Sequence, residues 1–257
     1  MARVRKRHVQ QALALHTWGG KRDGAGRPQT NARKSEPHRV RPRIRKSDAV
    51  HVTLRVVSEI AHLRRKDAYA AVRHAANVVL GRPDFRIVHI SIQTTHIHML
   101  VEAADKHALA SGMKGFQVSA ARRLNVVEAR VKRRGAKPRK GSVFVDHYNA
   151  QIIDSPRRAR HALAYVLNNW RRHREDRSYF ARSWALDPYS TAAQFDGWNG
   201  PVNRDRVSWI LDDEPPLPVT CPETWLLREG WKRHGLIGAT EVPGAAPSLR
   251  RGPRTER

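Results

Sequence analysis

The sequence has few acidic residues and almost no cysteine. Its 257 residues include 23 Asp and Glu against 49 Lys and Arg, which gives a formal net charge of +26. The single cysteine, Cys221, excludes an internal disulfide and a cysteine-based zinc site. No apolar run is long enough for a membrane span, and the basic start precedes an apolar stretch too short for a signal peptide. We therefore expect a cytoplasmic protein.

The positive charge points to a partner that carries phosphate groups. A field of this sign attracts phosphate backbones and gives binding that weakens with salt. Nucleic acid is the partner we expect, with an RNA binder of the ribosomal type or an anionic membrane surface as the alternatives.

The periodicity of the apolar residues predicts an α+β fold. Strands are predicted at 49–57, 85–93, 95–102 and 142–153, and helices at 67–80 and 106–134. This order is the split βαβ pattern of ferredoxin-like folds, with a four- or five-stranded antiparallel sheet. Further helices follow, one from 155 and one near 222–234.

Two histidines share one face of a predicted strand. His96 and His98 flank Ile97 in a segment of alternating character. Successive strand residues point to opposite faces, so the two imidazoles project together while Ile97 and Met99 face the other way. Two imidazoles supply half of a metal site. A lone histidine here would be more typical of a structural residue.

The helix predicted to begin at Ser155-Pro156 carries a tyrosine outside its apolar stripe. At about 100° per residue, the stripe consists of Ala159, Leu163, Val166, Leu167 and Trp170. Tyr165 is predicted on the far side, among Arg158, His161, Asn168 and Arg172. Asn169 lies one turn on, and its carboxamide oxygen suits a hard divalent cation. Taken alone, Asn168-Asn169 is more typical of a helix C-terminus.

Together these motifs resemble those of the HUH single-strand nucleases. Residues 95–102 are similar to the His-hydrophobe-His signature, and residues 144–148 and 164–169 are similar to single-tyrosine transposases of the insertion-sequence-200 type. Among these the resemblance is to the REP-associated tyrosine transposases, and it covers about residues 49–175. The sequence departs from the common pattern at Trp170, which follows Asn169 where proline is usual.

The resemblance implies a mechanism and its residues. His96, His98 and Asn169 would hold Mg²⁺ or Mn²⁺, with Asn168 open as the third ligand instead. Tyr165 would attack phosphorus and form a covalent 5′-phosphotyrosine, leaving a free 3′-OH. Tyr148 is the competing tyrosine, although a core or base-stacking role fits it too. The partner would be a single-stranded hairpin or palindromic repeat of DNA in the bacterial nucleoid, bound by a monomer or homodimer.

A set of basic residues is predicted to contact DNA phosphates. It consists of Arg130, Lys132, Arg133, Arg134, Lys137, Arg158 and Arg172. The predicted organisation is a basic flexible arm (1–48), a catalytic domain (49–175), an accessory segment rich in Trp and Pro (176–244) and a disordered tail (245–257).

Two other functions compete with a transposase. One is a non-catalytic, domesticated nucleic-acid-binding protein on the same scaffold, which would need neither the histidine pair nor Tyr165. The other is a replication initiator or relaxase, which the lack of a second nearby catalytic tyrosine disfavours.

Overall fold

The computed structural model describes residues 43–60, 62–133, 135–177, 181–202 and 214–244. Most of the predicted arm (1–48) and the whole predicted tail (245–257) lie outside the described residues. Within the described ranges, no helix is long and apolar enough to cross a membrane.

Four strands form one antiparallel sheet. They are β1 (Ala49–Arg55), β2 (Phe85–Ile92), β3 (His96–Ala103) and β4 (Asn149–Ile153), and their order in the sheet is β2-β3-β1-β4. Helix α1 (Lys66–Val79) connects β1 to β2, and α2 (Lys106–Lys132) connects β3 to β4. This is the split βαβ arrangement, so the predicted ferredoxin-like fold is confirmed.

Helices α1 and α2 cover one face of the sheet. Alternate residues of the central strands, among them Val52 of β1 and Met99 of β3, are fully buried in this core. Asp105 begins α2 by accepting hydrogen bonds from the backbone N–H groups of His107 and Ala108, both at 2.8 Å. Gly112 lets α2 approach β2, because a Cβ there would lie 2.2 Å from the ring of Phe85.

The opposite face is covered by α3 (Pro156–Arg172) and by the chain that follows it. Ser155 caps α3 by accepting a hydrogen bond from Arg158 N at 3.4 Å, and Pro156 begins the helix as predicted. Leu100 of β3, Leu167 of α3 and Trp231 share this second core. The segment predicted to be accessory therefore supplies part of the core that holds α3.

Two predicted elements are shorter than expected. The strand prediction 142–153 is wrong in its first half, since β4 begins at Asn149 and only Phe144 forms an isolated bridge, to Val56. Val143 and Phe144 are both buried, so this stretch does not alternate. The helix near 222–234 is divided into α4 (Trp225–Arg228) and a 3-10 turn, Gly230–His234.

Residues 236–243, here the C-terminal strap, bind along α3 through backbone carbonyls. Asn168, Arg171 and Arg172 donate to the carbonyl oxygens of Gly238, Ala239 and Pro243 at 2.9, 2.9 and 3.2 Å. Towards the other end of α3, Arg160 donates to Leu236 O at 3.0 Å and pairs with Glu241. These bonds fix α3 along much of its length.

A buried ion cluster joins the turn before β3 to the chain after α3. Arg64 binds Asp187 through two nitrogens at 3.0 and 2.8 Å, and it binds Glu175 at 3.0 Å. Glu175 also accepts the backbone N–H of Thr94 at 3.1 Å. The turn that leads into His96 is therefore tied to the residues that follow α3.

We expect Asp187→Ala to lower the free energy of unfolding by about 3–5 kcal/mol, because it leaves the buried Arg64 guanidinium short of a partner. Urea unfolding measures the change. Lys232→Ala is the control, since its pair with Glu229 is half exposed on both sides and should contribute under about 1 kcal/mol. Equal effects of the two substitutions would contradict a structural role for the Arg64 cluster.

Candidate active site

An open groove of about 940 Å³ lies between α3 and the sheet. Its lining includes His51 and Thr53 of β1, His98 of β3, Gln151 of β4 and Tyr165 of α3. Arginines contribute to its walls, namely Arg43, Arg45 and Arg158. The groove therefore combines a histidine-rich floor with basic walls.

The histidine pair occupies one sheet face, as the alternation predicts. The rings of His96 and His98 lie 4.6 Å apart between centroids, and Ile97 and Met99 are buried in the core on the other face. His98 is only 3% exposed. The Nδ1 atom of His96 lies 3.2 Å from the hydroxyl of Thr95.

One nitrogen of His98 is engaged and the other is not. Its Nδ1 lies 3.0 Å from Nε2 of His51 and 3.1 Å from the hydroxyl of Thr53. Its Nε2 is buried and meets no hydrogen-bond partner among the described residues. A buried nitrogen lone pair without a partner is what a metal ligand offers.

Burial keeps the histidines of the groove neutral. It lowers the pKa of His51 and of His96 to about 4, and His173 and Arg55 lower that of His96 further by charge repulsion. Burial first, and then the neighbouring histidines, lower the pKa of His98 to about 2. Neutral imidazole is the form that binds metal.

Tyr165 and Asn169 of α3, and His173 directly after the helix, lie one turn apart on the side that faces the histidines. The ring of Tyr165 lies 5.1 Å from that of His98 and 5.5 Å from that of His51. Two turns on, the ring of His173 lies 5.1 Å from that of His96. Asn169 lies between them in the helix, is fully buried, and neither polar atom of its amide meets a described partner.

The structure separates the two asparagines that the sequence left open. Asn168 donates to Gly238 O at 2.9 Å and so points to the C-terminal strap. Asn169 is on the Tyr165–His173 side with a free amide oxygen. The geometry therefore favours Asn169 as the third ligand.

Tyr165 is half buried and lines the groove with Arg158 and His161, outside the apolar stripe of α3. The buried surface of α3 is wider than its apolar stripe, because the sheet and the C-terminal strap contact it from two sides. The other described tyrosines, Tyr69, Tyr148 and Tyr189, belong to the core on the α1–α2 face. Burial raises the pKa of Tyr69 to about 12.

The donor set fits a hard divalent cation. The described residues contain no group of three His, Cys, Asp or Glu placed to hold a metal. Two neutral imidazoles and a carboxamide oxygen form a different set, and each of His98 and Asn169 has a buried polar atom without a partner. These residues therefore fit the expected Mg²⁺ or Mn²⁺.

The predicted DNA-binding residues fall into two places. Arg158 lines the groove and pairs with Asp154 at 3.1 Å, and the guanidinium of Arg172 lies 5.8 Å from the ring of Tyr165. Four others are exposed at the end of α2 and in the loop after it, outside the groove lining: Arg130, Lys132, Arg133 and Lys137. Arg134 lies outside the described residues.

Sequence reasoning missed His51, Thr53, Arg55 and His173. His51 and Thr53 alternate on β1 as His96 and His98 do on β3, which was the available signal. The register pairs Thr53 with His98 and Arg55 with His96. Glu102 is on the same face of the sheet as the histidine pair. Its carboxylate accepts hydrogen bonds from the backbone N–H groups of Glu223 and Thr224 at 2.8 and 2.9 Å, so its role is structural.

Lowered histidine pKa values predict a loss of stability in mild acid. The unfolded chain takes up protons near pH 6.5, whereas the buried histidines resist them until about pH 4 or lower, so protons favour unfolding. The free energy of unfolding in chelator should fall from pH 6.5 to pH 5, as measured with urea. His89→Gln should flatten this slope, since His89 is a buried histidine with a pKa near 4 outside the groove. A constant free energy would contradict neutral burial.

Comparison with known proteins finds one family and several solved structures that are similar to this chain. Residues 46–169 match the family described as "Transposase IS200 like". The solved structure of a REP-associated tyrosine transposase bound to a REP hairpin is 18% identical, with a TM-score of 0.46 over 65% of this chain and 94% of that one. A protein assigned as a transposase from Deinococcus radiodurans R1 is 15% identical, with a TM-score of 0.32 over 56% and 97%. No curated protein matches the chain. The residues that match this family include His96, His98, Tyr165 and Asn169.

Proposed function

We propose that this transposase nicks and rejoins single-stranded DNA through a covalent 5′-phosphotyrosine at Tyr165, in a reaction that depends on Mg²⁺ or Mn²⁺. One observation carries the proposal. The ring of Tyr165 lies 5.1 Å from that of His98, whose Nε2 is free, and the free amide of Asn169 lies one turn along the same helix.

Tyr165 is the nucleophile of the proposed reaction. Its hydroxyl oxygen bonds to phosphorus as the bond from phosphorus to the 3′ oxygen breaks, and a proton passes to that leaving oxygen. A neutral phenol is a weak nucleophile, so its surroundings must activate it. Arg172 beside the ring, together with Arg158 in the groove, supplies positive charge.

His96, His98 and Asn169 would hold the metal ion. Bound there, the cation would polarise the scissile phosphate and offset the charge that grows on its oxygens. The chain contributes two neutral imidazoles and an amide oxygen at a buried position. Because the covalent link retains the energy of the phosphodiester bond, the free 3′-OH can reverse the attack without ATP.

The groove and the remaining basic residues would bind the DNA. Its open shape and arginine walls suit a single strand rather than a duplex, and the resemblance to REP-associated transposases implies a hairpin or palindromic repeat. Arg158 and Arg172 would contact phosphates near the cleavage site. Arg130, Lys132, Arg133 and Lys137 would hold a more distant part of the DNA.

The first experiment detects the covalent adduct. Wild-type protein incubated with Mn²⁺ and a labelled hairpin from its flanking repeats should give a slow band on a denaturing gel, with the label on the Tyr165 peptide. Tyr165→Phe should bind the hairpin and give no adduct, because only the hydroxyl is lost. Tyr148→Phe is the matched control and should form adduct, since Tyr148 is buried on the other face.

An adduct formed by Tyr165→Phe would contradict the assignment of the nucleophile. No adduct from the wild type would favour the alternative, a non-catalytic DNA-binding protein on the same scaffold.

A second experiment removes the metal or its ligands. Excess chelator, or His96→Ala or His98→Ala, should reduce cleavage by about 10²- to 10³-fold, because phosphate charge loses its stabilisation. Gel-shift affinity for the hairpin should stay near that of the wild type, since basic side chains provide it. His107→Ala, exposed at the start of α2, is the control. Full cleavage in chelator would contradict metal dependence.

A further inference from the structure

His51 and Thr53 surround the engaged side of His98. Thr53 lies directly opposite His98 in the β1–β3 register, and His51 lies two residues further along the same face of β1. Both reach one atom, Nδ1 of His98, at 3.0 Å from His51 Nε2 and 3.1 Å from Thr53 Oγ1. No other polar side chain of the described residues is within hydrogen-bond distance of that ring.

The surroundings of its two ring nitrogens favour one tautomer of His98. A neutral imidazole carries one hydrogen, on either Nδ1 or Nε2. If the hydrogen were on Nε2, it would point into a buried place where no acceptor is found among the described residues. With the hydrogen on Nδ1, both Nε2 of His51 and the hydroxyl of Thr53 can accept it, and Nε2 of His98 keeps a free lone pair.

We propose that His51 and Thr53 are positioning residues that hold His98 as the Nδ1–H tautomer, so that its Nε2 can bind the metal. The inference rests on the proposed function, because it assumes that His98 is a metal ligand. Metal-binding histidines commonly donate their second ring nitrogen to a nearby acceptor, which fixes the orientation of the ring. In this protein the two acceptors are His51 and Thr53.

His51 also contacts the nucleophile. Its ring lies 5.1 Å from that of His98 and 5.5 Å from that of Tyr165, with an edge-to-face geometry towards the tyrosine. One side chain therefore sets the orientation of a metal ligand and one wall of the space that Tyr165 occupies. To accept from His98, His51 must itself carry its hydrogen on Nδ1, so the tautomers of the two rings are coupled.

The test is the affinity of DNA-free protein for Mn²⁺, measured by calorimetry. The double variant His51→Leu/Thr53→Val removes both acceptors with little change in volume and should bind Mn²⁺ about 10- to 100-fold more weakly. Each single substitution leaves one acceptor and should cost less than the double. His51→Gln restores an acceptor oxygen and should recover most of the affinity lost in His51→Leu.

Two controls keep the outcome specific. His89→Gln changes a buried histidine outside the groove, whose Nδ1 lies 3.0 Å from the hydroxyl of Thr191, and should bind Mn²⁺ as the wild type does. The visible spectrum of bound Co²⁺ should change in the double variant and not in His89→Gln. Melting temperatures in chelator show whether the variants are folded, and His51→Gln keeps the test open if the double variant unfolds.

The results separate this inference from the proposed function. If the wild type binds Mn²⁺ and His98→Ala does not, the metal site stands. Affinity of the double variant within twofold of the wild type would then overturn the positioning role alone. If the wild type and His98→Ala bind Mn²⁺ equally, the metal site itself is wrong and the positioning role is overturned with it.

Discussion

The placement of α3 across the histidine face of the sheet is the constraint on which the site depends. Residues two apart on β3 share one face of the sheet, and residues one turn apart on α3 share one side of the helix. Tyr165 meets His98 and His173 meets His96, with Asn169 between them. Alternation on β3 and the helical repeat of α3 thus place Tyr165 beside the histidine pair.

Residues that lie far from the sequence motifs hold α3 in this place. The C-terminal strap binds α3 through carbonyl oxygens from Leu236 to Pro243, and Trp231 packs in the core beneath it. The Arg64 cluster fixes the turn before His96 to the residues that follow the same helix. Burial that results from this packing keeps the imidazoles neutral, while the arginines stay on the walls of the groove. Neutral imidazoles and positively charged guanidinium groups can therefore lie in one groove.

The sequence predicted what depends on local periodicity. The order of elements and the shared face of His96 and His98 follow from alternation and helical spacing, and both are confirmed. The contact of His51 with His98 depends on the β1–β3 register, which cannot be read from a single sequence. Likewise, only the contact of Asn168 with Gly238 distinguishes the two asparagines. The strand prediction 142–153 was wrong in its first half, where Val143 and Phe144 are both buried and do not alternate.

The central claim is that His96, His98 and Asn169 form one metal site beside Tyr165. Anomalous diffraction from crystals soaked in Mn²⁺ tests it most directly, because the signal locates the ion without reference to activity. The account predicts one strong peak bound by Nε2 of both histidines and by the amide oxygen of Asn169, next to the ring of Tyr165. A peak bound by Asn168, or one away from the histidine pair, would contradict it.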